Sequence, residues 1–459
     1  MGRNRRVLVV GAGMAGLGAA YSLRKRGLDA IVFEASSRPG GRVAVEEVGG
    51  FRMDVGANIF LETFDTVKEL AAELGVPLER TRVPIHGGVY RNGKFHGLYG
   101  GDHPRDQWKT IRTLLSFRLL SPRGLWQLMK FGRMLKARCG ELSLEDPSRM
   151  ATLDDGESAA DFVASKIGSE FLEWFFGPNL SGYTFAHPEQ VGAAYGMAVL
   201  WYFGLNAGWP LRPKGGAGAF VDALARACGP SIRTSTPATR IVIEDGCVRG
   251  VVAEGGLVEA DAVICATTAT AALRLAPDLP SGIRDALGRV TYSSCCRVFF
   301  GLDSSPFPGD WYGVMFPRQT GAFMSGMSNS AALAPESVPE GKALIDALVI
   351  GTLAEELSAL SHEQVVRRIL AETRKYFPAM TQEPLFTRVH RWDEAACLAP
   401  GGMISALHRM RGTELKAVKG LFLAGEYMGV PSVNGAVRSG LDAAADCAAF
   451  VSPGPDESF

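Results

Sequence analysis

Residues 6–34, RVLVVGAGMAGLGAAYSLRKRGLDAIVFE, constrain this chain more than any other stretch. Val7–Val10 form a short apolar run rich in β-branched residues, which reads as a buried parallel strand. Gly11, Gly13 and Gly16 follow at the spacing G-x-G-x-x-G. A helical run with Leu17, Ala20 and Leu23 on one face comes next and stops at Gly27. A second strand, Ala30–Phe33, ends in Glu34. Gly11 permits the tight turn, Gly13 admits a pyrophosphate to the backbone, and Gly16 lets helix and strand pack closely. The helix N-terminus offers free N–H groups and a positive dipole end to phosphates. Glu34 is spaced to accept the hydroxyls of an adenosine ribose. Strand, glycines, helix and acid together imply a bound dinucleotide.

Composition narrows the class. The chain has 459 residues, enough for about three domains, and is 47% hydrophobic and 21% charged, as globular proteins are. Lys+Arg and Asp+Glu are equal at 48 each, which gives nucleic acid no electrostatic footprint. The eight cysteines contain no C-x-x-C pair and no metal-ligand spacing with the seven histidines. They read as free thiols in a reducing cytosol, and no metal site is expected. The basic start and apolar run at the N-terminus mimic a signal peptide, but that run is the glycine fingerprint itself. Arg6 stands where a myristoylation signal needs Ser or Thr. The uncharged window 191–211 contains four glycines and a proline, so a buried helix followed by a loop is expected there rather than a membrane span.

Beyond Glu34, the run Arg38-Pro39-Gly40-Gly41-Arg42 allows close backbone approach and sets Arg42 to meet a phosphate. Phe51 to Asn58 reads as a strand leading to a small-residue turn, and 66–74 as an amphipathic helix. Residues 105–138 carry nine basic residues against the single acid Asp106, interleaved with Trp108, Trp126 and many aliphatics. Such a segment can lie on an anionic membrane surface, or be a lid whose basic face is solvated. Helices are expected at 157–175, 188–203, 220–227, 361–375 (capped by Ser361) and 437–450. Strands are expected at 237–244, 248–253, 257–259, 298–302, 313–316, 420–426, Ala262–Cys265 and Ala343–Ile350. Only 452–459 reads as disordered.

On GAGMAGLGAA with Glu34, RPGGRV, MDVGAN, GGAGAF, ADAVICAT, HRW and LAGEYMGVPSVNGAVRSGLDAA, the chain resembles the FAD-dependent amine-oxidase superfamily over nearly its whole length. That superfamily includes monoamine oxidases, protoporphyrinogen oxidases, and phytoene and carotene desaturases. The resemblance implies an α/β fold: a Rossmann-type FAD-binding domain with an inserted helical and mixed-sheet substrate domain. The FAD-binding parts would be 1–75, 213–280 and 396–459, the helical part 76–212 and the sheet part 281–395. It implies non-covalent FAD, with Gly11, Gly13, Ala15 and Gly16 along the pyrophosphate, Glu34 on the ribose and Arg42 nearby. Gly56, Ala57 and Asn58 would approach the flavin side, Ala238 the adenine, and Trp392 would pack beside the ring. Gly425, Glu426, Val433 and Asn434 would hold the ribityl chain and the pyrimidine end.

Within the superfamily, the lysine that amine oxidases typically carry is replaced by Cys295, and a cage tyrosine by Ser432. Cys397 lies where some members attach their flavin, but its neighbours do not resemble that motif. The middle segment is similar to protoporphyrinogen oxidases and carotenoid desaturases. The resulting expectation is dehydrogenation of an apolar or polycyclic small molecule by hydride transfer to FAD, with oxygen or a quinone reoxidising the flavin. No catalytic side chain is singled out, because hydride transfer to a flavin requires none. A flavin amine oxidase, a flavin-dependent isomerase or mutase, and a non-enzymatic flavin protein are the competing readings. The expected location is cytoplasmic, with peripheral membrane contact as one of the two readings of 105–138.

Overall fold

The computed structural model describes residues 5–206 and 208–452. The tail expected to be disordered therefore lies, apart from Ser452, outside the described residues, as do residues 1–4 of the basic start.

A five-stranded parallel sheet stands at one side, in the order Ile232–Arg233, Ala30–Phe33, Val7–Val10, Ala262–Cys265, Leu421–Leu423. The middle strands are apolar throughout because helices cover both faces, as parallel sheets require. Met14–Lys25 packs tightly on Val433–Val451, and Gly440 in the second helix lies against the Ala15 carbonyl of the first. Parallel pairing brings the carboxyl ends of these strands to one edge, where open α/β sheets bind ligands.

A second, seven-stranded sheet faces that edge. Its order is Phe386–Trp392, Cys295–Leu302, Ala343–Ile350, Gly326–Asn329, Gly313–Met315, His86–Arg91, Lys94–Tyr99. All neighbours are antiparallel except Gly313–Met315 with His86–Arg91. Side chains alternate along a strand. Cys296, Val298 and Phe300 therefore join Ile345, Ala347 and Val349 in a core against the helix His362–Tyr376. Cys295, Arg297, Asp346 and Leu348 point the other way. That helix starts as expected, with Ser361 and Gln364 forming a capping box.

The helical region departs from expectation in detail. The single helix expected over 157–175 is broken by Gly168, whose φ of 146° no side-chain-bearing residue adopts readily. It becomes Ala159–Lys166, the short turn Ser169–Phe171, a π-helical turn Leu172–Phe176, and Gly177–Thr184. The window at 191–211 contains the buried helix Ala193–Val199, a second π-turn Leu200–Leu205 and the start of the strand Pro210–Pro213. Among the described residues, no helix is long and apolar enough to cross a membrane. The basic segment forms two exposed helices, Pro104–Leu115 and Pro122–Arg138, both started by proline after a polar cap.

Candidate functional site

The edge of the parallel sheet, the open face of the large sheet and the helical region enclose one cavity of about 2090 Å³. Ordinary small-molecule pockets run roughly 300–1,000 Å³, so this one has room for more than one ligand.

At the parallel-sheet end, the cavity is defined by backbone. Gly16 sits so close to the preceding turn that a Cβ there would lie 1.9 Å from the Gly11 carbonyl oxygen. It packs and does not line the cavity. Gly13 caps the helix Met14–Lys25 and has nothing within 4 Å of where a Cβ would point, which leaves an open cradle beside the helix N-terminus. Glu34 is buried; its carboxylate accepts from Ala12 N (2.7 Å), Ser36 N (2.8 Å) and Ser36 Oγ (2.6 Å). Those bonds orient it and leave acceptor capacity facing the cavity. Ala15 and Ala238 line the same end.

Further along, Arg42 is ion-paired with Glu426 and lies over the Tyr292 ring. Arg42, expected to meet a phosphate, lines the cavity, and its guanidinium ties the RPGGRV turn to the closing motif. Glu426 keeps Oε1 buried and unpaired. Gly56, Ala57, Asn58, Gly425 and Val433 line this middle part, and Trp392 donates from Nε1 to the Val55 carbonyl (3.1 Å). Ser432 is the N-cap of Val433–Val451, accepting from Gly435 N at 2.9 Å, so a second helix N-terminus opens onto the cavity. Asn434 does not reach the cavity. Fully buried, it accepts from Val67 N (3.0 Å) and donates to Glu145 (2.9 Å), clamping the helix Asp65–Glu73 to the closing motif. Of the fifteen residues expected to touch a cofactor, Gly16 and Asn434 thus stand behind the wall and the others line it.

Apart from Cys295 and Trp392, the far end is built from side chains that the sequence did not single out. Arg297 and Asp346, diagonal neighbours on adjacent strands, form a buried ion pair, with Nε to Oδ2 at 2.9 Å. Arg297 Nη1 also donates to the carbonyls of Asp54 and Gly56, both at 3.1 Å. Burial works against its charge, but Asp346 outweighs that and holds the guanidinium above its usual value. Cys295 lines the cavity beside its cross-strand partner Trp392, and burial pushes its thiol up to about 12, so it stays protonated. Phe185 ends the helix Gly177–Thr184 in the left-handed region (φ 56°) and packs against Cys295 and Leu348. A bulky residue in that conformation costs on the order of 1–3 kcal/mol, which marks a site where shape matters more than stability. Both π-turns contribute, through Phe175, Leu200, Phe203 and Leu205. The one signal for the ion pair was a lone charge in each of two apolar strands, CCRVFFGL and ALIDALVI.

An open glycine cradle, an oriented acid, two helix N-termini and an unpaired buried carboxylate oxygen fit a flavin dinucleotide. The fold and this cavity define a dinucleotide-binding architecture. The model of the family described as flavin containing amine oxidoreductase matches residues 14–448, and the chain belongs to that family. It is 28% identical over 200 residues to protoporphyrinogen oxidase 2, chloroplastic/mitochondrial, of Arabidopsis thaliana, covering 43% of this chain and 36% of that protein. It is 30% identical over 310 residues to the zeta-carotene-forming phytoene desaturase of Myxococcus xanthus, covering 57% and 53%. These matches span a third to a half of the relatives' own lengths. Cyclohexylamine oxidase from Brevibacterium oxydans IH-35A has the same fold at a TM-score of 0.72 and 20% identity, over 97% of this chain and 99% of that one.

Proposed function

We propose that this protein dehydrogenates an apolar small molecule, with non-covalently bound FAD as the two-electron acceptor and oxygen or a quinone as the terminal one. The observation that carries this reading is the makeup of the far end of the cavity: Phe175, Tyr183, Phe185, Phe203, Leu348 and Trp392 beside a protonated Cys295. An amine oxidase of this superfamily would be expected to offer a lysine at Cys295 and a tyrosine at Ser432, whereas Ser432 here is spent on capping a helix.

In this reading Gly11, Gly13 and Ala15 hold the pyrophosphate, with Gly16 fixing their turn. Glu34 binds the ribose, and Ala238 lies by the adenine. Gly56, Ala57, Asn58, Gly425, Glu426 and Val433 line the middle, with Arg42 bracing Glu426 and Asn434 bracing the closing helix. Trp392 and Phe185 shape the reacting end and keep water out. Cys397 argues for non-covalent attachment: it is fully buried, and burial pushes its thiol far above the range in which a thiolate forms.

The two basic helices support a peripheral membrane contact. Trp108 (62% exposed), Trp126 (52%), Ile111 and Leu115, with Phe117 in the turn between the helices, stand out among the arginines and lysines. Leu114 and Leu128 of the same helices line the cavity, so an apolar substrate could pass from lipid to site. Flotation with anionic vesicles at low salt should carry the protein upward, and high salt should reverse it.

The chemistry is tested by mixing the yellow holoprotein anaerobically with polyenes, porphyrinogens and amines. Bleaching by a polyene or porphyrinogen is the expected result. Rapid bleaching by simple primary or secondary amines alone would overturn the reading.

A further inference from the structure

The segment 54–57 stands between the two ends of the cavity, and its backbone is committed on both sides. Val55 N and Ala57 N donate to the carbonyls of Ala44 and Arg42, both at 2.9 Å. The carbonyls of the segment go instead to the large sheet. Arg297 Nη1 takes those of Asp54 and Gly56, both at 3.1 Å, and Trp392 Nε1 takes that of Val55 at 3.1 Å. The Asp54 carboxylate is anchored separately, by Arg212 at 2.7 Å. Three consecutive carbonyls are thus held by two side chains from adjacent strands.

Arg297 is engaged on two sides. Nη1 meets the segment, while Nε lies 2.9 Å from Asp346 Oδ2 and Nη2 bonds the same oxygen. The charges therefore come in a fixed order: segment, guanidinium, carboxylate. Both residues line the cavity and are almost fully buried, at 8% and 5% exposed. A buried pair in this order is a dipole with its positive end against the segment, in surroundings that screen it poorly. Cys295, two residues earlier on the same face, adds no charge, because burial keeps its thiol protonated.

A hydride brings a flavin two electrons and one proton, so the reduced ring carries one more negative charge than the oxidised ring. The nearer of two opposite charges decides how that charge is received. We propose that Arg297 is a positioning residue that holds 54–57 against the flavin and raises the flavin's reduction potential, with Asp346 behind it setting by how much. This goes beyond the dehydrogenation proposed above and rests on one part of that reading, the placing of the ring beside Gly56 and Ala57.

The test reads the reduction potential of the holoprotein by anaerobic equilibration with dithionite and reference dyes, with no substrate present. Arg297→Met should lower the equilibrium constant for reduction about tenfold, which is about 30 mV. Asp346→Asn keeps the shape of the side chain and should raise that constant about threefold, since the charge it removes lies behind the guanidinium. Opposite signs are the signature of an ordered pair, whereas a loosened wall would shift both variants the same way, toward free FAD. If Arg297→Met yields no folded protein, the rise in Asp346→Asn decides alone. Ala57→Leu checks the placement: from an exposed position on the cavity wall it should disturb the flavin absorbance. With that disturbance present, shifts of one sign, or no shift in a folded variant, overturn the role of the pair. Without it, the ring lies elsewhere and the proposal falls together with the placement. Rapid bleaching by simple amines would overturn the dehydrogenation reading and leave the two predicted shifts standing.

Discussion

The two ends of the cavity are built by different means. At the parallel-sheet end, the surface is main chain: turns, helix N-termini and one acid held by backbone N–H groups. At the far end, it is side chains, projected from a sheet and from irregular helical turns. A main-chain surface demands glycine at fixed spacing, because any Cβ would occupy the contact, so it leaves a motif in the sequence. A side-chain surface demands only that particular residues meet in space, and strands distant in sequence supply them. One end is therefore shared across chemistries, and the other decides which chemistry is run.

The sharpest way to break this contrast is Gly16→Ala. A Cβ 1.9 Å from a carbonyl oxygen has no flexible neighbour to displace, so the variant should yield no folded, yellow protein. Recovery of native flavin content would mean the turn is not rigid. The far end should respond differently. Asp346→Ala leaves Arg297 buried without its carboxylate and should cost about 3–5 kcal/mol in urea unfolding. Asp346→Leu combined with Arg297→Met should cost less than Asp346→Ala alone, since no charge is left uncompensated. Equal losses would mean Arg297 matters chiefly through the Asp54 and Gly56 carbonyls it holds.

Glu34→Ala is expected to weaken FAD binding by about 1–3 kcal/mol, measured by quenching of flavin fluorescence. The variant also frees Ala12 N and Ser36, so part of that loss is the loop's own order. The smallest effect concerns pH. Burial holds His86, at the substrate end, below its ordinary value, against the opposing pull of Asp310 and Asp106. The unfolded chain takes up this proton near pH 6.5 while the folded one resists it. His86 therefore contributes full stability above about pH 6.5, and the contribution falls away as pH drops toward its folded value. His96 and His187 are depressed by burial in the same sense. His86→Phe should make the stability curve between pH 7 and pH 5 shallower; an unchanged slope would place the titration elsewhere.

What the sequence disclosed follows the same division. The strands at Val7–Val10 and Ala262–Cys265, the glycine turn and Glu34 were readable because periodicity and backbone need coincide there. The hairpin from His86 to Tyr99 was also readable: Asn92-Gly93, both at positive φ, is the turn that joins two strands tightly. It lies within 76–212, expected as the helical part, yet both its strands join the large sheet. Phe185 left no trace at all, because its strain is set by packing against Cys295 and Leu348, more than a hundred residues away. Asn434 was assigned to the ring from its motif, yet its partners Val67 and Glu145 lie in segments no local pattern connects to it.

The most direct test of the two-ended cavity compares FAD with FMN on the apoprotein. FMN carries the same ring but lacks the adenosine half that the proposal assigns to Gly13, Glu34 and Ala238. The account predicts FAD binding at least roughly a thousandfold tighter, about 4 kcal/mol, from several bonds at the main-chain end. FMN affinity within tenfold of FAD would contradict it.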